Sequence, residues 1–170
     1  EVCGGGDLLT YVRRRRKLKE DVARHLFKQI ITGLRYCHSK NVLHRDIKLD
    51  NILLTSQGHV KICDFGVSKL ITKHKELSLS SAEPAYIAPE VFENKGYVGY
   101  QSDVWSAGVV LYAMLFGTVP FKAANMIELH KQVVKSKPDF KDGADGASTK
   151  AVALLKSILE KDPTKRLTID

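Results

Sequence analysis

The sequence predicts a mainly α lobe carrying one small β-hairpin on its side. Three observations predict it. Apolar residues recur every four positions at Val22, Leu26, Ile30 and Leu34, the period of an amphipathic helix. An uncharged run over 104–121 is punctuated only near its end, by Gly117 and Pro120. Two short apolar runs, 51–54 and 60–63, flank Thr55-Ser56-Gln57-Gly58-His59, a hairpin signal with glycine in the turn.

Residues 1–6 read as a short connection ending in three glycines, and 7–16 as a short helix with Leu8, Leu9 and Val12 on one side. The helix over 20–39 is the clearest, because Phe27 and Ile31 widen its stripe. Glu20 and Asp21 at its start and Lys40 past its end suit the helix dipole. The hairpin sets Asn51 and Asp64 at the outer ends of paired strands, close in space despite their separation along the chain. Residues 67–87 are polar, with four serines between 68 and 81, and read as a loop. A loop this long inside a compact domain is functional or disordered, and the motifs on either side favour function.

A membrane-spanning helix needs about 20 apolar residues, and the uncharged run offers only about 13 before Gly117. Asp103 and Lys122 close its ends, so it reads as a buried core helix starting near Ser102 and Asp103. Asn125 and Glu128 resemble a capping box for a helix running to Lys135, before Pro138. The Asp/Gly loop at 139–146 fails the calcium-loop template, since Gly143 and Lys141 stand where ligands belong. Ser148 caps a last helix to Glu160, and Asp162-Pro163 stops it.

A length of 170 residues suits one domain with one core, and 27% charged residues is the composition of a soluble globular protein. Cys3, Cys37 and Cys63 are scattered and form no CxxC pair. Free thiols in a reducing compartment fit better than a disulfide framework, which makes the cytoplasm the expected location, with the nucleus as the alternative. The six histidines are dispersed, which argues against structural zinc. The net charge of +8 is concentrated in the unbroken basic run 13–17. No aromatic residues interleave with it, as single-strand nucleic-acid binding would want, so it reads as the solvated face of a connecting helix.

The chemistry centres on HRDIKLDN at 44–51, which brings an acid, an amine and an amide together in Asp46, Lys48 and Asn51. Thirteen residues past Asn51 comes Asp64-Phe65-Gly66. Alone, the first tripeptide reads as surface charge and the second as a turn. Together, with Ala88-Pro89-Glu90 downstream, they suggest phosphoryl transfer. An acid positions a hydroxyl, an amine holds the phosphate, and an amide and a second acid hold magnesium.

These motifs resemble the signature set of eukaryotic-type protein kinases, and the resemblance runs over all 170 residues. It implies the C-terminal lobe of a serine/threonine kinase, similar in wording to the calcium/calmodulin-dependent and AMP-activated branch. By this resemblance ATP and Mg2+ are the cofactors and protein hydroxyls the substrates. Asp46 orients and deprotonates the hydroxyl, Lys48 steadies the phosphate, and Asn51 and Asp64 ligate the metal. The backbone of Glu1 and Cys3 meets adenine. Leu53 is the apolar floor beneath adenine or a plain core leucine. Asp7 touches ribose or a basic substrate residue. Glu90 pairs with Arg166. Asp103 holds the HRD backbone and joins His44 and Phe65 in an internal spine. Arg45 suggests control by an upstream kinase, with Ser78, Ser80 and Ser81 as candidate phosphosites.

Two departures stand out. Nothing in the chain matches the glycine-rich loop, the V-A-I-K lysine or its glutamate partner, and the end at Asp170 falls within the last helical region. The chain is therefore expected to be part of a larger kinase domain (connector and C-terminal lobe) and inactive alone. Before Pro84, where the family carries Gly-Thr or Gly-Ser, this chain has Ala82-Glu83. A carboxylate there would face Asp46 and capture Lys48. A pseudokinase or regulatory binding module is the competing reading.

Overall fold

Helix is the dominant element, as the sequence predicts, and the β content is two small sheets rather than one hairpin. The computed structural model describes residues 3–70, 83–93, 99–140 and 147–170. Glu1, Ser78, Ser80, Ser81 and most of the Asp/Gly loop lie outside the described residues.

The core forms around helix α4, Tyr100–Phe116, which is apolar on every side. A helix without a polar face has to be buried, and Trp105, Val109, Val110 and Met114 are wholly inaccessible. Helix α4 begins at Tyr100, ahead of the expected Ser102, and ends before Gly117, and no described helix is long and apolar enough to cross a membrane. Helix α2, Glu20–Ser39, packs on α4 through Leu26, Phe27, Ile30 and Leu34, the predicted stripe. Helix α6, Thr149–Ile158, covers α4 from another side and ends at Ile158 rather than Glu160. Ser148 accepts from the Ala151 N–H as its cap, and donates its own N–H and hydroxyl to Glu20 at 2.8 Å each, tying α6 to the start of α2. Helix α5, Met126–Lys135, begins where Asn125 Oδ1 accepts the Glu128 N–H at 2.9 Å. Helix α3, Pro89–Phe92, is a single turn begun by Pro89.

The predicted hairpin forms from β3, Ile52–Leu54, and β4, Val60–Ile62, with Ile52 opposite Ile62 and Leu54 opposite Val60. Gly58, at φ 82°, makes the turn. The helix stripe and the sheet meet here, since Gln29 Oε1 accepts the Val60 N–H at 3.0 Å. A third strand, β1, Gly6–Asp7, pairs with β3 and leads directly into α1, Leu8–Arg15. The triglycine is thus more than a connection. The Gly5 N–H donates to the Leu54 carbonyl at 2.9 Å, and a Cβ on Gly5 would press on that same oxygen.

The loop expected over 67–87 needs correction at both ends. Lys69–Leu70 forms a strand, β5, paired with β2, Val42–Leu43, and Pro84–Tyr86 forms a 3-10 turn. A two-residue strand has no periodicity to read, and its partner is distant in sequence. The basic run 13–17 is exposed. It lies in the last turn of α1 and just beyond, where cations suit the helix dipole, and Arg15 stacks on Tyr11 at 3.7 Å.

Candidate functional site

Asp103, in the first turn of α4, builds the site from below. Its Oδ2 accepts the His44 N–H at 3.0 Å and its Oδ1 accepts the Arg45 N–H at 2.9 Å. His38, the last buried residue of α2, places Nε2 at 2.9 Å from the same carboxylate. Asp103 is almost fully buried, so these bonds act in a low dielectric. They hold Arg45 at φ 71°, a left-handed conformation that a side-chain-bearing residue keeps only when its surroundings fix it.

His44 links the two motifs. The Asp46 N–H donates to its Nδ1 at 3.2 Å, which leaves the ring proton on Nε2 to donate to the Cys63 carbonyl at 2.9 Å. Its ring meets Phe65 edge-on at 4.7 Å. The expected contact of His44 with Asp103 below and Phe65 above is therefore present.

Asn51 ties the acid to the hairpin. Its Nδ2 donates to the Asp46 carbonyl at 2.8 Å and to Asp46 Oδ2 at 3.1 Å. Its own carbonyl accepts the Cys63 N–H at 3.0 Å. The strand pairing thus ends one residue short of Asp64, which turns outward at φ 62°. Asn51 and Asp64 are neighbours across the end of the hairpin, as the strand pattern requires. Burial first, then the charges of Asp64, Cys3 and Asp50, raise the Cys63 thiol, which favours its protonated form.

The Lys48 ammonium lies 3.8 Å from Asp46, 3.7 Å from Asp50 and 3.9 Å from Glu83. The glutamate before Pro84 thus reaches the lysine, as the departure from the family pattern implies.

The remaining candidates sit on the strands leading in. Ile52 and Leu54 face the core, whereas Leu53 between them points to the other face and is half-buried. Cys3 is half-buried, and its carbonyl accepts the Gly6 N–H at 3.2 Å. Asp7 caps α1, its two oxygens accepting the Thr10 N–H at 2.8 Å and the Thr10 hydroxyl at 2.9 Å. The Thr10 backbone bond, foremost, holds its carboxyl below the usual range. That capping role was not read from the sequence, although Asp7 directly precedes the apolar positions of α1. His38 was missed too, although it continues the four-residue spacing of Ile30 and Leu34 with a polar side chain.

The protein kinase domain family matches residues 1–170. The chain belongs to that family. It is 41% identical over 172 residues to CBL-interacting serine/threonine-protein kinase 17 of Arabidopsis thaliana, covering 99% of this chain and 39% of that protein. It is 43% identical over 169 residues to serine/threonine protein kinase OSK3 of Oryza sativa, covering 99% of this chain and 33% of that protein. The kinase-family chain thus spans well under half the length of these relatives. Protein kinases as a class use ATP and divalent cations. The donor set here suits a hard cation. Asn51 directs its amide nitrogen to Asp46, which leaves Oδ1 as an acceptor, and the exposed Asp64 adds a carboxylate at the hairpin end. No group of three His, Cys, Asp or Glu converges among the described residues.

Proposed function

We propose that these residues are the connector and C-terminal lobe of a protein serine/threonine kinase, which transfers the ATP γ-phosphate to a Ser or Thr hydroxyl of protein substrates. The observation that carries this reading is Asp46 held by Asn51 with the Lys48 ammonium 3.8 Å away. Asp46, its Oδ2 fixed by the Asn51 amide, accepts the proton of the incoming hydroxyl. Lys48 donates to an oxygen of the transferred phosphoryl group. Asn51 Oδ1 and the Asp64 carboxylate would hold Mg2+, which would supply positive charge to offset that of the phosphates. Leu53, on the face turned away from the core, supports adenine, the backbone of Cys3 lines its edge, and Asp7, whose carboxylate caps α1, meets the ribose or a basic substrate residue. Segments outside these 170 residues complete the nucleotide site, since nothing within them matches a glycine-rich loop.

One observation favours a second reading, a regulatory module that transfers nothing: the Glu83 carboxylate lies 3.9 Å from the Lys48 ammonium. Transfer of labelled phosphate by the full-length gene product, beside its Asp46→Asn variant, separates the two. A positioned base is worth about 100- to 10,000-fold, so the variant is expected to lose nearly all activity. Absence of transfer in both, with magnesium supplied and the 67–87 serines phosphorylated, would overturn the kinase reading. Mass spectrometry of the active protein, finding phosphate between residues 67 and 87, tests the proposed upstream kinase.

A further inference from the structure

Three carboxylates surround one ammonium, and they are not equivalent. Asp46 and Asp50 belong to the same short segment as Lys48. Glu83 arrives from elsewhere, and its backbone is held in place. The proline that follows restricts it to an extended conformation, observed at φ −66° and ψ 123°. The Tyr86 N–H donates back to the Glu83 carbonyl at 3.0 Å, and Ser106 of α4 donates to the Tyr86 carbonyl at 2.8 Å. Burial first, then the Glu83 charge, push the Tyr86 phenol up. The Glu83 backbone is therefore fixed, and its half-exposed carboxylate reaches to 3.9 Å from Lys48.

The distances of 3.7, 3.8 and 3.9 Å are those of ion pairs rather than direct hydrogen bonds. No single acid locks the ammonium, which is shared. Each carboxylate nonetheless draws it from any phosphate oxygen that needs it. A neutral side chain in place of Glu83 would add no charge there. A carboxylate adds a negative charge beside the oxygens on which charge is carried during transfer.

We infer that Glu83 is a positioning residue that restrains Lys48, an anion of the protein's own that the transferred phosphate must displace. The inference rests on the kinase reading and goes beyond it. The restraint exists before any nucleotide binds, so it can be read without activity.

The experiment uses the full-length gene product and its Glu83→Gln and Glu83→Thr variants. Without nucleotide, the rate at which an amine-reactive ester modifies Lys48 is followed by mass spectrometry, with exposed Lys28 as internal reference. Removing one partly exposed pair is expected to speed Lys48 modification about two- to fivefold and leave Lys28 unchanged. With Mg-ATP and a protein substrate, kcat is expected to rise by about the same factor while KM for ATP holds, because the ammonium is needed most in the transition state. In a Lys48→Ala background the Glu83 substitutions are expected to have no effect on kcat. A purely structural role for Glu83 would move thermal stability and leave that dependence on Lys48 absent. Unchanged Lys48 modification in both variants overturns the inference even if the wild type transfers phosphate. Faster modification with no transfer by any form supports the restraint and instead overturns the kinase reading.

Discussion

Arg166 grips Glu90 through two parallel bonds, Nη1 to Oε1 at 2.7 Å and Nη2 to Oε2 at 2.8 Å, with side chains 0% and 4% exposed. The same guanidinium donates to the carbonyls of Glu160, Gln101 and Lys161. One side chain thus joins α3, the start of α4 and the turn after α6. Glu90→Ala would leave Arg166 charged, buried and short of its partner. A loss of about 3–5 kcal/mol is expected, read as a shift of the urea midpoint. A Glu90→Leu, Arg166→Met double variant should recover part of it, because the stranded charge is gone. A shift below about 1 kcal/mol for Glu90→Ala would mean that the three carbonyls suffice.

Asp103→Asn probes the support beneath the HRD segment. An amide offers one acceptor oxygen where the carboxylate offers two, so either the Arg45 N–H or the pair of His44 N–H and His38 loses its partner. An unmet buried donor costs about 1–3 kcal/mol. Where the Arg45 N–H is the donor left unmet, its φ of 71° loses one of its restraints. Hydrogen exchange at the His44 and Arg45 amides is expected to accelerate more than exchange in the middle of α2. Equal acceleration everywhere would point to global destabilisation instead.

What was legible in the sequence follows from what has a period or a motif. The α2 stripe, the uncharged α4 and the hairpin around Gly58 were readable because burial imposes a repeat on them. The pairs Glu90–Arg166 and Lys48–Glu83 were readable from the family pattern and from one departure in it. Pairing of Val42–Leu43 with Lys69–Leu70 was not, because two residues cannot alternate and the contact is long-range. The strand at Gly6–Asp7 was hidden by glycines that read as a connection, when their lack of a side chain is what admits the Leu54 carbonyl. His38 belongs to no motif, and only the fold brings Asp103 to it.

Gly117 stops α4 in the left-handed conformation, at φ 70°, its N–H donating to the Ala113 carbonyl at 2.9 Å. A Cβ there would also strike the Arg16 carbonyl, a backbone atom that no rotamer change can move. The left-handed geometry alone costs about 1–2 kcal/mol for a non-glycine residue. Gly117→Ala is expected to exceed that, since the segment joining α1 to α2 must shift as well. Thermal denaturation checks it. A Gly117→Asn variant that kept wild-type stability would show that the Arg16 contact yields easily.

Lys161 gives a pH signature of its own. Its ammonium donates to the Val133 carbonyl and lies 4.0 Å from the Phe121 ring centre and 5.0 Å from that of Trp105. Burial first, then the Arg166 charge, push its pKa down from the usual 10.5 to about 8, with Glu160 acting the other way. Between those values the unfolded chain holds the proton and the folded one releases it. The contribution of this group to stability therefore rises with pH across that window. It is complete above about 10.5 and lost as pH falls through about 8. Lys161→Met keeps the apolar stem and removes the titration. Tyr86 and Tyr112, both raised chiefly by burial, titrate alike in the two proteins and cancel in the comparison. Urea denaturation at a series of pH values should show wild-type stability gaining on that of Lys161→Met as pH rises above 8. Parallel curves would mean that the aromatic faces and the Val133 carbonyl hold the ammonium charged, in spite of its burial.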